Sequence, residues 1–105
     1  MRSAEGNMEL ERALEILEGL DLKERFGVRR IGFFGSLVRN EQKETSDIDV
    51  LVEFDSRAKT FDNYMNLKFL LEEAFGRKVD LVISDALKPQ IRERVLEEAM
   101  YAEGS

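Results

Sequence analysis

Apolar positions recur along this chain in two rhythms, one helical and one extended. From Met8 the residues Leu10, Ala13, Leu14, Ile16, Leu17 and Leu20 fall at helical spacing, which predicts an amphipathic helix. Asp21 is placed to cap a short second turn, LKERF, which Gly27 would end. VRRIGFF is β-branched and aromatic and predicts a strand, broken at Gly35. SLVRN is expected to form one or two helical turns, and EQKET a loop. DIDVLVEF predicts a second strand, whose VLV run suggests burial on both faces. After the loop DSRAKT, Phe61 to Phe75 has Tyr64, Leu67, Leu71 and Ala74 on one helical stripe, stopped by Gly76. KVDLVI predicts a third strand. Ser84 and Asp85 suit a turn, and Pro89 the first turn of a last helix with Ile91, Val95 and Ala99 four residues apart.

The order is therefore helix, strand, short helix, strand, helix, strand, helix. It predicts an α/β (α+β) fold, a single small domain with a short mixed sheet flanked by helices. Residues 1–7 are polar and unpatterned and are expected to be a flexible extension, with the domain spanning 8–105.

Composition narrows the function. One domain is the default for 105 residues. The net charge of −6 argues against nonspecific grip on nucleic acid, which usually needs a basic face. A small anionic ligand would need a local positive site or a metal. The absence of cysteine excludes disulfides, thiolate metal sites and a cysteine nucleophile. Without cysteine or histidine, zinc is disfavoured too. No apolar run approaches the ~20 residues of a membrane span, and no signal-peptide pattern opens the chain. A cytoplasmic protein is expected.

Candidate chemistry gathers between Gly32 and Val52. Gly35 ends a strand, where a glycine lets another group approach the backbone. Free N–H groups just after it could bind phosphate, and the Ser36 hydroxyl adds a donor. Arg39 lies three residues on, on the same face of a helical turn. It could hold phosphate or pair with Asp47 or a nearby glutamate. The plainer alternative is a Gly-Ser turn with a surface arginine. The glycine spacing fits neither a Walker loop nor a dinucleotide fingerprint.

Asp47 and Asp49 stand at i and i+2 of the second strand. They would share a face, with Cα atoms roughly 6.5–7 Å apart. Two close carboxylates raise each other's pKa unless a cation lies between them, and a hard divalent ion suits such a pair. A calcium loop starting at Asp47 would need glycine sixth and glutamate twelfth, where the chain has Val52 and Ala58. Starting at Asp49 puts Thr60 twelfth. Magnesium is the better match if phosphates supply other ligands. The alternative is a solvated acidic start to the strand.

Asp80 interrupts the apolar run VDLVI. A lone buried carboxylate costs several kcal/mol unless paired or neutralised. If its strand lies beside DIDVLV, three acids form one cluster, enough to hold two metal ions about 3.5–4 Å apart. With no histidine, a carboxylate is the natural proton acceptor. The alternative is an edge-strand aspartate facing water.

Taken together, GSLVRNEQKETSDIDVLV followed by VDLV resembles the minimal nucleotidyltransferases of the DNA polymerase beta superfamily, over about Val28 to Tyr101. The resemblance implies that Gly35 and Ser36, with Arg39, cradle nucleotide phosphates. It implies that Asp47 and Asp49 hold two Mg2+ ions and that Asp80 completes the catalytic ion's shell. Many members have glycine after the arginine; Asn40 stands here and tolerates the same left-handed backbone. Larger members carry an extra helical domain for the acceptor, for which this chain is too short. Short members resemble antitoxins paired with a helical HEPN toxin. That implies AMP transfer from ATP to a tyrosine of such a partner. A catalytically silent antitoxin that neutralises by contact alone is the competing reading. A bare dimeric scaffold is a third, and it leaves the acids unexplained. Oligomeric state stays open.

Overall fold

The structure is a computed structural model and describes residues 9–41 and 47–102. The expected N-terminal extension, Met8 and most of the EQKET loop lie outside the described residues. Two helices come first, α1 (Leu10–Gly19) and α2 (Leu22–Phe26), followed by β1 (Val28–Phe33) and β2 (Ile48–Phe54). Helix α3 (Phe61–Phe75) then leads to β3 (Val79–Ile83), and α4 (Pro89–Glu98) to a two-residue strand, β4 (Met100–Tyr101).

The sheet order is β3-β2-β1-β4. β1 runs antiparallel to β2 and to β4, whereas β2 and β3 are parallel. A parallel pair needs a crossover, and α3 supplies it. The sheet is therefore mixed, as expected.

Alternation along β2 sorts its side chains. Ile48, Val50, Val52 and Phe54 join the core cluster with Ala13 and Leu17 of α1 and Leu67, Leu71 and Phe75 of α3. Asp49, Leu51 and Glu53 take the opposite face. Leu51 is buried there as well, so the VLV run is covered on both sides as predicted. The rings of Phe33 and Phe75 meet edge to face with centroids 5.7 Å apart, a favoured aromatic geometry. Gly76 ends α3 in a left-handed conformation, φ 67°.

β3 is an edge strand, and α3 covers part of its outer rim. The Val79 N–H donates to Glu72 Oε2 at 3.0 Å, and the Tyr64 hydroxyl donates to the Leu81 carbonyl at 2.6 Å. Side-chain caps of this kind blunt an edge against pairing with another chain.

Four features differ from the sequence pattern or lie beyond it. Asp21 precedes α2 but is itself left-handed (φ 57°) and its side chain makes no capping bond. The clear side-chain cap is Thr60, which accepts from the Asn63 N–H at 3.2 Å. SLVRN forms tight turns and no regular helix; Arg39 N–H bonds the Gly35 carbonyl and Glu41 N–H the Ser36 carbonyl. The turns end at Asn40, whose φ of 61° confirms the left-handed backbone expected there. The stripe of α4 is not a core face, since none of its side chains is fully buried and Ile91 is 45% exposed. Finally, β4 has no counterpart in the periodicity. Two residues carry no pattern, and β4 exists because Gly32 lets it in. A Cβ on Gly32 would lie 2.2 Å from the Met100 carbonyl oxygen.

Candidate functional site

The parallel register of β2 and β3 sets Ile48 against Val79, so the next pair is Asp49 against Asp80. Alternation then puts both carboxylates on the sheet face opposite α1 and α3. Asp47 lies two residues before Asp49, just ahead of β2. The structure thus brings the second and third acids together through backbone pairing.

Their environments differ. Asp49 is half-buried, while Asp47 and Asp80 are exposed. Of the two readings of Asp80, the exposed edge-strand aspartate holds, and the same strand also lies beside β2 as the cluster reading requires. Asp80 lies on the edge strand and on the face turned away from the core, where its side chain meets water, whereas Val79 and Leu81 of the same strand are buried. What makes the residue informative is its register partner.

Asp49 is pressed against the Gly-Ser turn. The Ser36 N–H lies near enough to its carboxylate to favour the ionised form. A Cβ on Gly35 would stand 2.2 Å from Asp49 Oδ2. Gly35 also has φ 75°. Only glycine meets both the close approach and the left-handed backbone here. Burial, then Asp80, then Asp47 raise the Asp49 pKa, outweighing Arg39 and the Ser36 N–H, which lower it. Placing a cation against these acids would offset that repulsion. The donor set is all oxygen, which suits Mg2+, although among the described residues no three acidic groups are drawn into a ready ligand cage.

On its other side the turn meets Glu98, the last residue of α4. The Gly35 N–H donates to Glu98 Oε2 at 2.5 Å, and Arg39 Nη1 donates to Glu98 Oε1 at 2.8 Å. Arg39 also reaches Glu41 at 3.0 Å. Arg39 therefore pairs with glutamates and not with Asp47. The Gly35 N–H and then Arg39 hold the Glu98 carboxyl below its ordinary value, against the effect of burial. Glu41 and Glu98 together raise the Arg39 pKa.

Glu98 escaped the sequence reading. It lies 63 residues from Gly35 and inside a charged helix, so no local spacing marks it. Among the described residues, no helix is long and apolar enough to cross a membrane.

Comparison with known proteins adds the following. A family profile described as "Nucleotidyltransferase domain" matches residues 19–102. Protein adenylyltransferase MntA of Thermococcus cleftensis is 47% identical over 81 residues, which is 77% of this chain and 81% of that protein. MJ0435 of Methanocaldococcus jannaschii, provisionally named a protein adenylyltransferase, is 46% identical over 76 residues, covering 72% of this chain and 81% of its own. A solved structure provisionally named a minimal nucleotidyltransferase superposes with a TM-score of 0.73 at 39% identity, covering 89% of this chain and 95% of that one. Two more distant structures share the fold. One is the toxin-antitoxin MntA-HepT, with a TM-score of 0.64 at 20% identity, covering 90% of this chain and 73% of that one. The other is a toxin-antitoxin with AMP-PNP, with a TM-score of 0.63 at 23% identity, covering 86% and 73%.

Proposed function

The chain belongs to the nucleotidyltransferase domain family, and we propose that it transfers AMP from ATP to a tyrosine of a partner protein, a HEPN-type toxin, acting as that toxin's antitoxin. The protein-adenylyltransferase names of its relatives support the reaction. The toxin-antitoxin assemblies that share its fold support the partner class. The observation that carries the reading is the pairing of Asp49 with Asp80 beside the Gly35-Ser36 turn.

In this reading the backbone N–H groups of Gly35 and Ser36 and the Arg39 guanidinium orient the phosphates. The acceptor phenol oxygen bonds to the α-phosphorus while the bond from that phosphorus to the bridging oxygen breaks in line. The departing electron pair leaves with pyrophosphate. The phenol proton passes to the Asp80 carboxylate, which is exposed and can meet an acceptor arriving from solvent. Asp47, Asp49 and Asp80 would hold Mg2+, which when bound neutralises phosphate charge and makes the attacking hydroxyl more acidic. Positioning and electrostatics supply most of the rate, as in phosphoryl transfer generally.

The test is an intact-mass comparison. The chain is co-expressed with the product of the adjacent gene, then again as the Asp47→Asn, Asp49→Asn double variant. The expected result is a gain on the partner in whole AMP units, absent with the double variant. Neutralisation by tight binding with no mass change in either case would replace this reading with an antitoxin that works by contact alone.

A further inference from the structure

We infer that Glu98 is a built-in competitor for nucleotide phosphate, closing the cradle until the nucleotide displaces it. The inference rests on the reading of Gly35 and Arg39 as phosphate donors. It adds that both donors are already occupied. One oxygen of Glu98 takes the Gly35 N–H and the other takes Arg39 Nη1. A backbone N–H beside a guanidinium is the donor pair that recognises phosphate oxygens. A single N–H directed at one carboxylate oxygen is not available to a second acceptor at full strength. Charge adds to the conflict. A polyphosphate entering beside docked Glu98 would meet a carboxylate at the two donors it needs, so nucleotide and docked Glu98 exclude each other.

The way Glu98 is delivered fits a part that can move. Just beyond it the chain is pinned to the sheet. Gly32 pairs with Tyr101 and Phe33 with Met100, the Ala102 N–H bonds the Ile31 carbonyl at 2.9 Å, and Arg30 stacks on the Tyr101 ring at 4.3 Å. Just before it lies α4, with no fully buried side chain. β4 thus aims Glu98 at the cradle, while α4 supplies little packing to keep it there. Lifting the end of α4 frees both donors without unpairing β4.

The test is calorimetric titration of the full chain with AMP-PNP and Mg2+. The proteins are wild type, Glu98→Ala, Glu98→Gln and Arg39→Ala. If the closed arrangement holds about nine-tenths of the population, removing it tightens apparent binding roughly tenfold. Glu98→Ala is expected to approach that gain and Glu98→Gln to show part of it, since an amide oxygen can still accept from Gly35. Unchanged or weaker binding by both Glu98 variants, with Arg39→Ala weakened, overturns the inference and leaves the phosphate cradle standing. No binding by any of the four proteins overturns both. A second measurement needs no variant. In wild type, the side-chain carboxyl 13C signal of Glu98 should shift as AMP-PNP saturates the protein. A signal that stays fixed at saturation overturns the inference.

Discussion

β2 and α4 each bring a carboxylate to Gly35, and they do so from unlike ground. Asp49 projects from the second strand of a four-stranded sheet, between Ile48 and Val50, both buried. Glu98 projects from the end of a helix with no fully buried side chain. Interiors are close-packed and resist displacement, whereas segments with few buried contacts open at low cost. The residue proposed for chemistry thus sits on rigid ground, and the residue proposed to compete with the nucleotide sits on a part that can lift. The electrostatics follow the same division. Burial and its acidic neighbours push the Asp49 pKa up, and the donors it grips hold the Glu98 pKa down. Asp49 is a group in need of a cation, and Glu98 is one already satisfied.

The sharpest way to break this comparison is Asp49→Asn. Transfer should fall on the order of a thousandfold, the scale of losing a key electrostatic group in a transition state. Stability without Mg2+ should hold or rise, because the substitution removes charge repulsion and no core. Radiolabel transfer and thermal melts in chelator check the two arms. Full activity would remove Asp49 from the chemistry.

The next largest effect separates the two kinds of packing. Leu71 is fully buried between α3 and the sheet, and Leu71→Ala should cost about 2–5 kcal/mol. Ile91 lies on α4 and is 45% exposed, so Ile91→Ala should stay within about 0.5 kcal/mol. Urea unfolding of the two variants measures both. Comparable losses would mean that α4 is seated as firmly as the core, which would undercut its freedom to lift Glu98.

How much of this could be read in the sequence follows from the range of the interactions. α1, α3 and the first three strands were legible because each carries its own period and its own stop signal, such as Gly76 after Phe75. The Gly35 turn and the Asp47, Asp49 pair were legible because they are local. Asp80 was singled out because it interrupts an apolar run, with its exposure left open. Its value lies in the register with Asp49, which no single strand encodes, and its exposure follows from the face it takes on an edge strand. β4 and Glu98 were not legible. Both depend on Gly32 admitting the backbone of Met100 and Tyr101, a contact between segments far apart in the chain. The end of a helix rich in charge gives no sign of which glutamate will meet an N–H.

A smaller effect than the loss at Leu71 is also the one most specific to the two carboxylates at Gly35. It is the change of stability with pH, measured without metal. The folded pKa of Glu98 lies below its ordinary value of 4.5. Its contribution is fully present above that value and is lost as pH falls through the lowered folded pKa. Glu98 is partly exposed and its ion pair with Arg39 is screened, so the contribution should stay below about 1 kcal/mol. Asp49 has the opposite sign. Its folded pKa lies above the ordinary 3.8, so its ionisation costs stability at neutral pH, and acidification through the folded pKa toward 3.8 relieves that cost. Subtracting the Asp49→Asn profile from wild type should leave a curve that rises on acidification. Subtracting the Glu98→Gln profile should leave one that falls, starting near pH 4.5 and continuing below it. Two difference curves of the same sign would show that the carboxylates flanking Gly35 share one environment, and the contrast between a cation-seeking acid and an acid already held by its donors would be lost.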